Sequence, residues 1–125
     1  MLTADEALDR LKKGNARFAS DEVNPAKFLT HQQRTEMVKD QHPFAIILGC
    51  SDSRVPAEMV FDQGFGDLFV IRVAGNIVAP SQVGSVEFAA DSFGCPLVVV
   101  LGHSHCGAIH STIEALMNPD SPPSA

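Results

Sequence analysis

A chain of 125 residues, 45% apolar and 19% charged, is long enough to bury one ordinary core and is not composed like a disordered chain. Its net charge of −6 disfavours a polyanionic partner, and Lys12-Lys13 is too small a basic cluster to reverse that, so nucleic acid is excluded as an expected ligand. The longest apolar runs, residues 44–48 and 97–101, fall far short of the ~20 needed to span a bilayer, so no membrane partner is expected either. The opening "MLTADEALDRLKK" lacks the basic-then-apolar layout of a secretory leader, and the default location is the cytoplasm. Three cysteines are too few for a secreted disulfide scaffold, and near histidines in a reducing compartment they point to metal binding or catalysis.

Thr3 and Glu6 form a capping-box pattern ahead of Ala4, Ala7, Leu8, Leu11 and Phe18, which predicts a helix over 4–18 with Gly14-Asn15 weakening its second half. Asn24-Pro25 marks an irregular stretch, and Thr30 opens a more polar helix over 30–40. Residues 44–48, 68–73 and 97–101 are short unalternating apolar runs, the pattern of buried parallel strands. Pro56 opens a short helix between the first two. A longer helix over 81–93 has Ser81 as its expected cap and Gly94 as its end. A last helix starts near Cys106 and runs to Met117, stopped by Asn118-Pro119, and a flexible tail is expected over 118–125. The order predicts an open, mainly parallel α/β sheet flanked by helices, forming one domain over 1–125 with an N-terminal helical arm over 1–42 and a sheet core over 43–117.

Two strands end alike. "AIILGC" closes on Cys50 and "VVVLGH" closes on His103, each after Leu-Gly. Ligands of open α/β sheets bind at the carboxyl ends of the strands, and neighbouring strands lie ~5 Å apart. If these two are neighbours, Cys50 and His103 emerge side by side, and Cys106 joins them from the first turn of the next helix. A Cys2His set leaves one tetrahedral position open on zinc, the preferred metal for thiolate and imidazole. Asp52 and Arg54 follow Cys50 at alternate positions and would share its side of an extended backbone. A Cys50–Cys106 disulfide, a Cys50 nucleophile with His103 as base, and Cys50 as core filler are the competing readings. Cys95, His31, His42, His105 and His110 have ordinary structural or surface readings, with His105 the best placed of them for a proton relay.

"CSDSR", "GDLFVIRVAGN", "GSVEFA" and "LGHSHCGA" resemble, in order and spacing, the β-class carbonic anhydrases, and "LKKGNARF" is similar too. The resemblance covers about residues 8–116. It implies a zinc ion, one per chain, on Cys50, His103 and Cys106, and reversible hydration of CO2 to bicarbonate by a hydroxide made on zinc and oriented by the Asp52–Arg54 pair. It implies that Asp52 can also swing onto the metal as a fourth ligand. Gln41 falls on a substrate-binding glutamine supplied across a dimer interface, so a homodimer or higher even oligomer is implied. Phe69 and Ala74 match positions lining a small apolar pocket, Phe88 stands where some members carry Tyr, and backbone N–H groups near Gly107 match bicarbonate-binding positions. Ile47 stands where bicarbonate-regulated members carry Trp. Members continue for some tens of residues past the last helix here, so a further edge strand is expected to be lacking. The alternatives are a related hydrolase, such as a carbon disulfide hydrolase, and a non-catalytic zinc-stabilised fragment or scaffold of the same fold.

Overall fold

The structure, a computed structural model describing residues 1–120, is built on three apolar runs that become strands. These are β1 (Ala45–Gly49), β2 (Leu68–Arg72) and β3 (Val98–Leu101), all parallel and ordered β2-β1-β3. Ile47 lies opposite Val70 on one side and Val99 on the other. The central strand is buried at every position, whereas β2 is half-buried along most of its length and β3 alternates between exposed and half-buried. The position in the sheet explains this: only β1 has neighbours on both edges.

Helix α1 (Ala4–Ala19) begins with the expected reciprocal cap, the Glu6 N–H donating to Thr3 Oγ1 and the Thr3 N–H to Glu6 Oε1, each at 3.1 Å. It does not weaken at Gly14-Asn15. A Cβ on Gly14 would collide with the Phe61 carbonyl, so the glycine permits close approach to α3 (Ala57–Val60), and Asn15 Nδ2 donates to Val60 O at 2.9 Å. The pair docks the helix instead of breaking it. Helix α2 (His31–Glu36) is shorter than the expected 30–40: it keeps its Thr30–Gln33 capping box but buries no residue, and nothing in the core stabilises a longer run.

Helix α4 (Pro80–Phe93) begins one residue before the expected start, and Ser81 is not its cap. Ala79 is the cap residue and Pro80 supplies the preset φ of the first helical position, while Gln82 Oε1 accepts both the Ala79 N–H at 3.3 Å and the Ser81 hydroxyl at 3.0 Å. Gly94, with φ of 62°, ends the helix in the left-handed conformation. Helix α5 (Gly107–Met117) is capped by Cys106 and closes at Asn118. Of the tail expected over 118–125, residues 121–125 lie outside the described residues.

Alternation along the strands separates two layers. Ala45, Ile47, Val99 and Leu101 pack with Ala7 and Leu11 of α1 and Ala57 of α3. On the opposite face α4 packs against β1 and β2, and the rings of Phe69, Phe88 and Phe93 cluster with centroids 5.5–6.0 Å apart. Helix α5 packs on the tight turn Ala74–Asn76 that follows β2, leaving Ile109, Ile113, Leu116 and Met117 exposed. Among the described residues no helix is long and apolar enough to cross a membrane.

Candidate metal centre

Because β1 and β3 are direct neighbours, Gly49 lies opposite Leu101, and the residues just past both strands leave the sheet together. Cys50 Sγ and Cys106 Sγ are 3.9 Å apart, and the ligand-capable atoms of Cys50, His103 and Cys106 all lie within 4.8 Å of one another. All three cysteines of the chain are free thiols, and Cys95 is spent elsewhere, donating to the Pro43 carbonyl at 3.2 Å.

His103 is held by its other nitrogen. Nδ1 lies 2.8 Å from the Ser104 carbonyl, an acceptor only, so in the neutral ring Nδ1 carries the proton and Nε2 presents its lone pair. Nε2 is buried without a hydrogen-bond partner, which a bound ion would supply. The Cys50 thiol is pulled down to about 6, first by the adjacent His103 ring and then by the backbone N–H groups of Asp52 and Gly75. The Gly75 N–H stands 3.2 Å from Cys50 Sγ. The same Cys50 contact pushes the His103 pKa up. Each group thus stabilises the charged form of the other, and Cys50 favours thiolate at neutral pH.

Asp52 and Arg54 meet, but not through an extended backbone. Residues 52–55 form a turn, closed by the Val55 N–H on the Asp52 carbonyl at 3.2 Å, which folds Arg54 back onto Asp52. Arg54 Nε and its own N–H both donate to Asp52 Oδ1 at 2.9 Å, and Nη2 donates to Oδ2 at 2.6 Å. These bonds hold the Asp52 carboxyl far below the usual carboxylate range, so it is an ionised acceptor. Nη2 also donates to the His105 carbonyl at 3.0 Å, tying the loop after β1 to the loop after β3. Asp52 Oδ2 is 3.9 Å from His103 Nε2.

A cavity of about 540 Å³ opens beside the cluster, lined by Asn76, Gly102, His103, His105, Cys106, Ile109, His110 and Ile113. Gly107 is the first residue of α5, next to Cys106. Phe69 and Phe88 come together, but in the ring cluster between β2 and α4, and neither they nor Ala74 line this cavity. Gln41 sits on the exposed stretch before β1, at the strand end opposite Cys50. Sequence reasoning passed over Arg72, whose Nε donates to the Cys50 carbonyl at 2.9 Å and whose Nη2 donates to the Asp52 carbonyl at 2.7 Å. Its signal was a lone cation in the apolar run "LFVIRV". Gly75 was also passed over; its φ of 74° aims its N–H at Cys50.

A carbonic anhydrase family model matches residues 45–124, more than half of the chain. The chain is 44% identical over 113 residues to a carbonic anhydrase of Mycolicibacterium smegmatis, covering 90% of this chain and 54% of that protein. The chain belongs to the β-class carbonic anhydrase family. Solved members share the fold. The β-carbonic anhydrase CcaA superimposes with a TM-score of 0.66 at 30% identity, over 91% of this chain and 56% of that one. One of two tetrameric β-carbonic anhydrases of Sordaria macrospora gives 0.62 at 27%, over 94% and 57%. The chain spans about half the length of the curated relatives it matches.

Proposed function

We propose that Cys50, His103 and Cys106 hold one zinc ion and that the site interconverts CO2 and bicarbonate. The observation that carries this reading is the convergence of two thiols and an unpartnered imidazole nitrogen beside a carboxylate already locked by an arginine. Two thiolates on one tetrahedral zinc, at ~2.3 Å each, stand ~3.8 Å apart, and the sulfurs here are 3.9 Å apart. When bound, zinc lowers the pKa of a water from 15.7 towards ~7, so that a nucleophile for CO2 exists at neutral pH.

The chain's own residues supply orientation. Asp52, ionised and held on three hydrogen bonds from Arg54, accepts a proton donor arriving near His103 and fixes which way its remaining lone pairs face. Arg54 keeps Asp52 off the ligand set; release of that pair would free the carboxylate to become a fourth ligand. The Cys106–Gly107 start of α5 adds a positive dipole end beside the thiolates, where backbone N–H groups near Gly107 can meet bicarbonate oxygens. Phe69, Ala74 and Phe88 are proposed to favour apolar CO2 from the β2–α4 side. The assembly is proposed to be a homodimer or higher even oligomer in the cytoplasm, with Gln41 entering the site of a second copy; the tetrameric Sordaria structures support an oligomer.

The test is stopped-flow CO2 hydration on this chain with its zinc content measured. The expected result is one zinc per chain with turnover that Arg54→Ala lowers by ~10- to 100-fold while retaining the metal. Zinc without turnover would favour a scaffold role, and near-normal turnover in Arg54→Ala would remove the pair from the mechanism.

A further inference from the structure

We propose that Arg72 is a positioning residue of this centre, its guanidinium holding the loop that presents the Cys50 thiol and the Asp52 carboxylate. The inference rests on the zinc hydration reading and adds to it a residue that neither touches the ligand atoms nor belongs to the Asp52–Arg54 pair.

Arg72 is the last residue of β2 and lies opposite Gly49, the last residue of β1. Past that rung the ladder makes one more bond, the Val73 N–H on the Gly49 carbonyl at 3.1 Å, and the two chains then separate. Residues 50–55 therefore leave the sheet with no strand partner, and Arg72 takes over that role. Nε reaches the Cys50 carbonyl at 2.9 Å and Nη2 the Asp52 carbonyl at 2.7 Å, two charged donors on alternate peptide groups. Among the described residues Arg72 makes no ion pair, so its charge is directed at these carbonyls alone.

The same two residues carry the site's work on their side chains. Cys50 Sγ faces Cys106 and the Gly75 N–H, and the Asp52 carboxylate faces Arg54. Holding both carbonyls from the β2 side sets where both side chains point. Asp52 Oδ2 stands 3.9 Å from His103 Nε2, so a small rotation of the loop would shift the carboxylate between Arg54 and the residues that would hold the metal. A neutral side chain at position 72 would free that rotation.

The experiment replaces zinc by Co2+ in the 125-residue chain and in its Arg72→Gln and Arg72→Lys variants. Visible absorption, far-UV circular dichroism and stopped-flow hydration are then compared. The expected result is one cobalt per chain in each, with the d–d bands of Arg72→Gln shifted in position and intensity. Its kcat should fall by ~10-fold or more with KM little changed, the usual scale for groups that orient metal ligands. Arg72→Lys keeps the charge without the two-pronged fork and should lie between, and it carries the comparison where Arg72→Gln lowers the folded yield. Variant spectra superimposable on the parent's overturn the positioning role. A parent chain with metal but no turnover sinks the hydration reading while the cobalt spectra still decide Arg72. A parent that takes up no cobalt overturns both.

Discussion

Asp62 carries a charge with no side-chain surface left to water. Burial alone would raise its pKa, but Arg17 Nε at 2.6 Å, Lys27 Nζ at 2.6 Å and the Asn24 N–H at 3.0 Å hold it ionised, down to about 2. The clamp joins α1, the turn Pro25–Phe28 and the end of α3, and it lies away from the metal centre. Its folded pKa is below the ordinary carboxylate value, so its contribution is present above pH ~4 and is lost as pH falls towards about 2. Asp62→Asn is the clean test, because Asn tolerates the positive φ of 48° as well as Asp does and only the charge is removed. Urea unfolding at pH 7 should show a loss of ~3 kcal/mol, the usual scale for stranding one partner of a buried pair. The variant should also lose stability less steeply than the parent between pH 5 and pH 3. An unchanged acid limb would show that other carboxylates govern it. Nothing in "FDQGFGDLF" marked this aspartate, because its partners lie 35 and 45 residues away.

At the scale of elements, β1 was legible because burial on both faces leaves a run with no polar alternation. The flanking β2 and β3 are only half-buried or partly exposed, yet their runs are as apolar, and only Arg72 interrupts one. The helix caps at Thr3, Thr30 and Gly94 were legible because capping is local chemistry within four residues. Gly14 was misread for the complementary reason. Propensity favours Ala over Gly in a helix interior by ~1 kcal/mol, so sequence alone makes Gly14→Ala stabilising. The structure reverses the sign: the added Cβ meets the backbone carbonyl of Phe61, which cannot rotate away as a side chain could. Gly14→Ala should therefore destabilise by ~1–3 kcal/mol through separation of α1 from α3, measured by thermal or urea unfolding. A rise in stability would mean that the two helices can slide apart at little cost.

At the scale of the whole molecule, the position of Gln41 matters most. β1 rises ~3.3 Å per residue, so its five residues put Gln41 ~16 Å or more from the Cys50 end of the sheet. On its own chain Gln41 stands at the wrong end of the strand for the site, and its proposed role needs a second copy. Gln41→Ala should lower turnover without lowering zinc content. Mixing Gln41→Ala with Arg54→Ala chains should then restore about a quarter of parent activity, since half of random dimers hold one intact site of two. A mixture that gives only the average of the two variants would remove Gln41 from the partner's site.

The residue types and short spacings were determined by sequence alone. Two Leu-Gly strand ends bearing Cys50 and His103, Cys106 three residues on, and Asp52 and Arg54 beside Cys50 are all local statements about which chemistry the chain can present. Tertiary structure decided what those groups do to one another. The order β2-β1-β3 makes the two ends adjacent, brings the sulfurs within 3.9 Å and leaves His103 Nε2 without a partner. The turn at residues 52–55 puts Asp52 on Arg54, and the register of Gly49 with Arg72 brings a distant cation onto the loop's carbonyls. Strand order and register follow from which apolar faces are buried together. That depends on contacts between residues far apart in the chain, which no local pattern encodes.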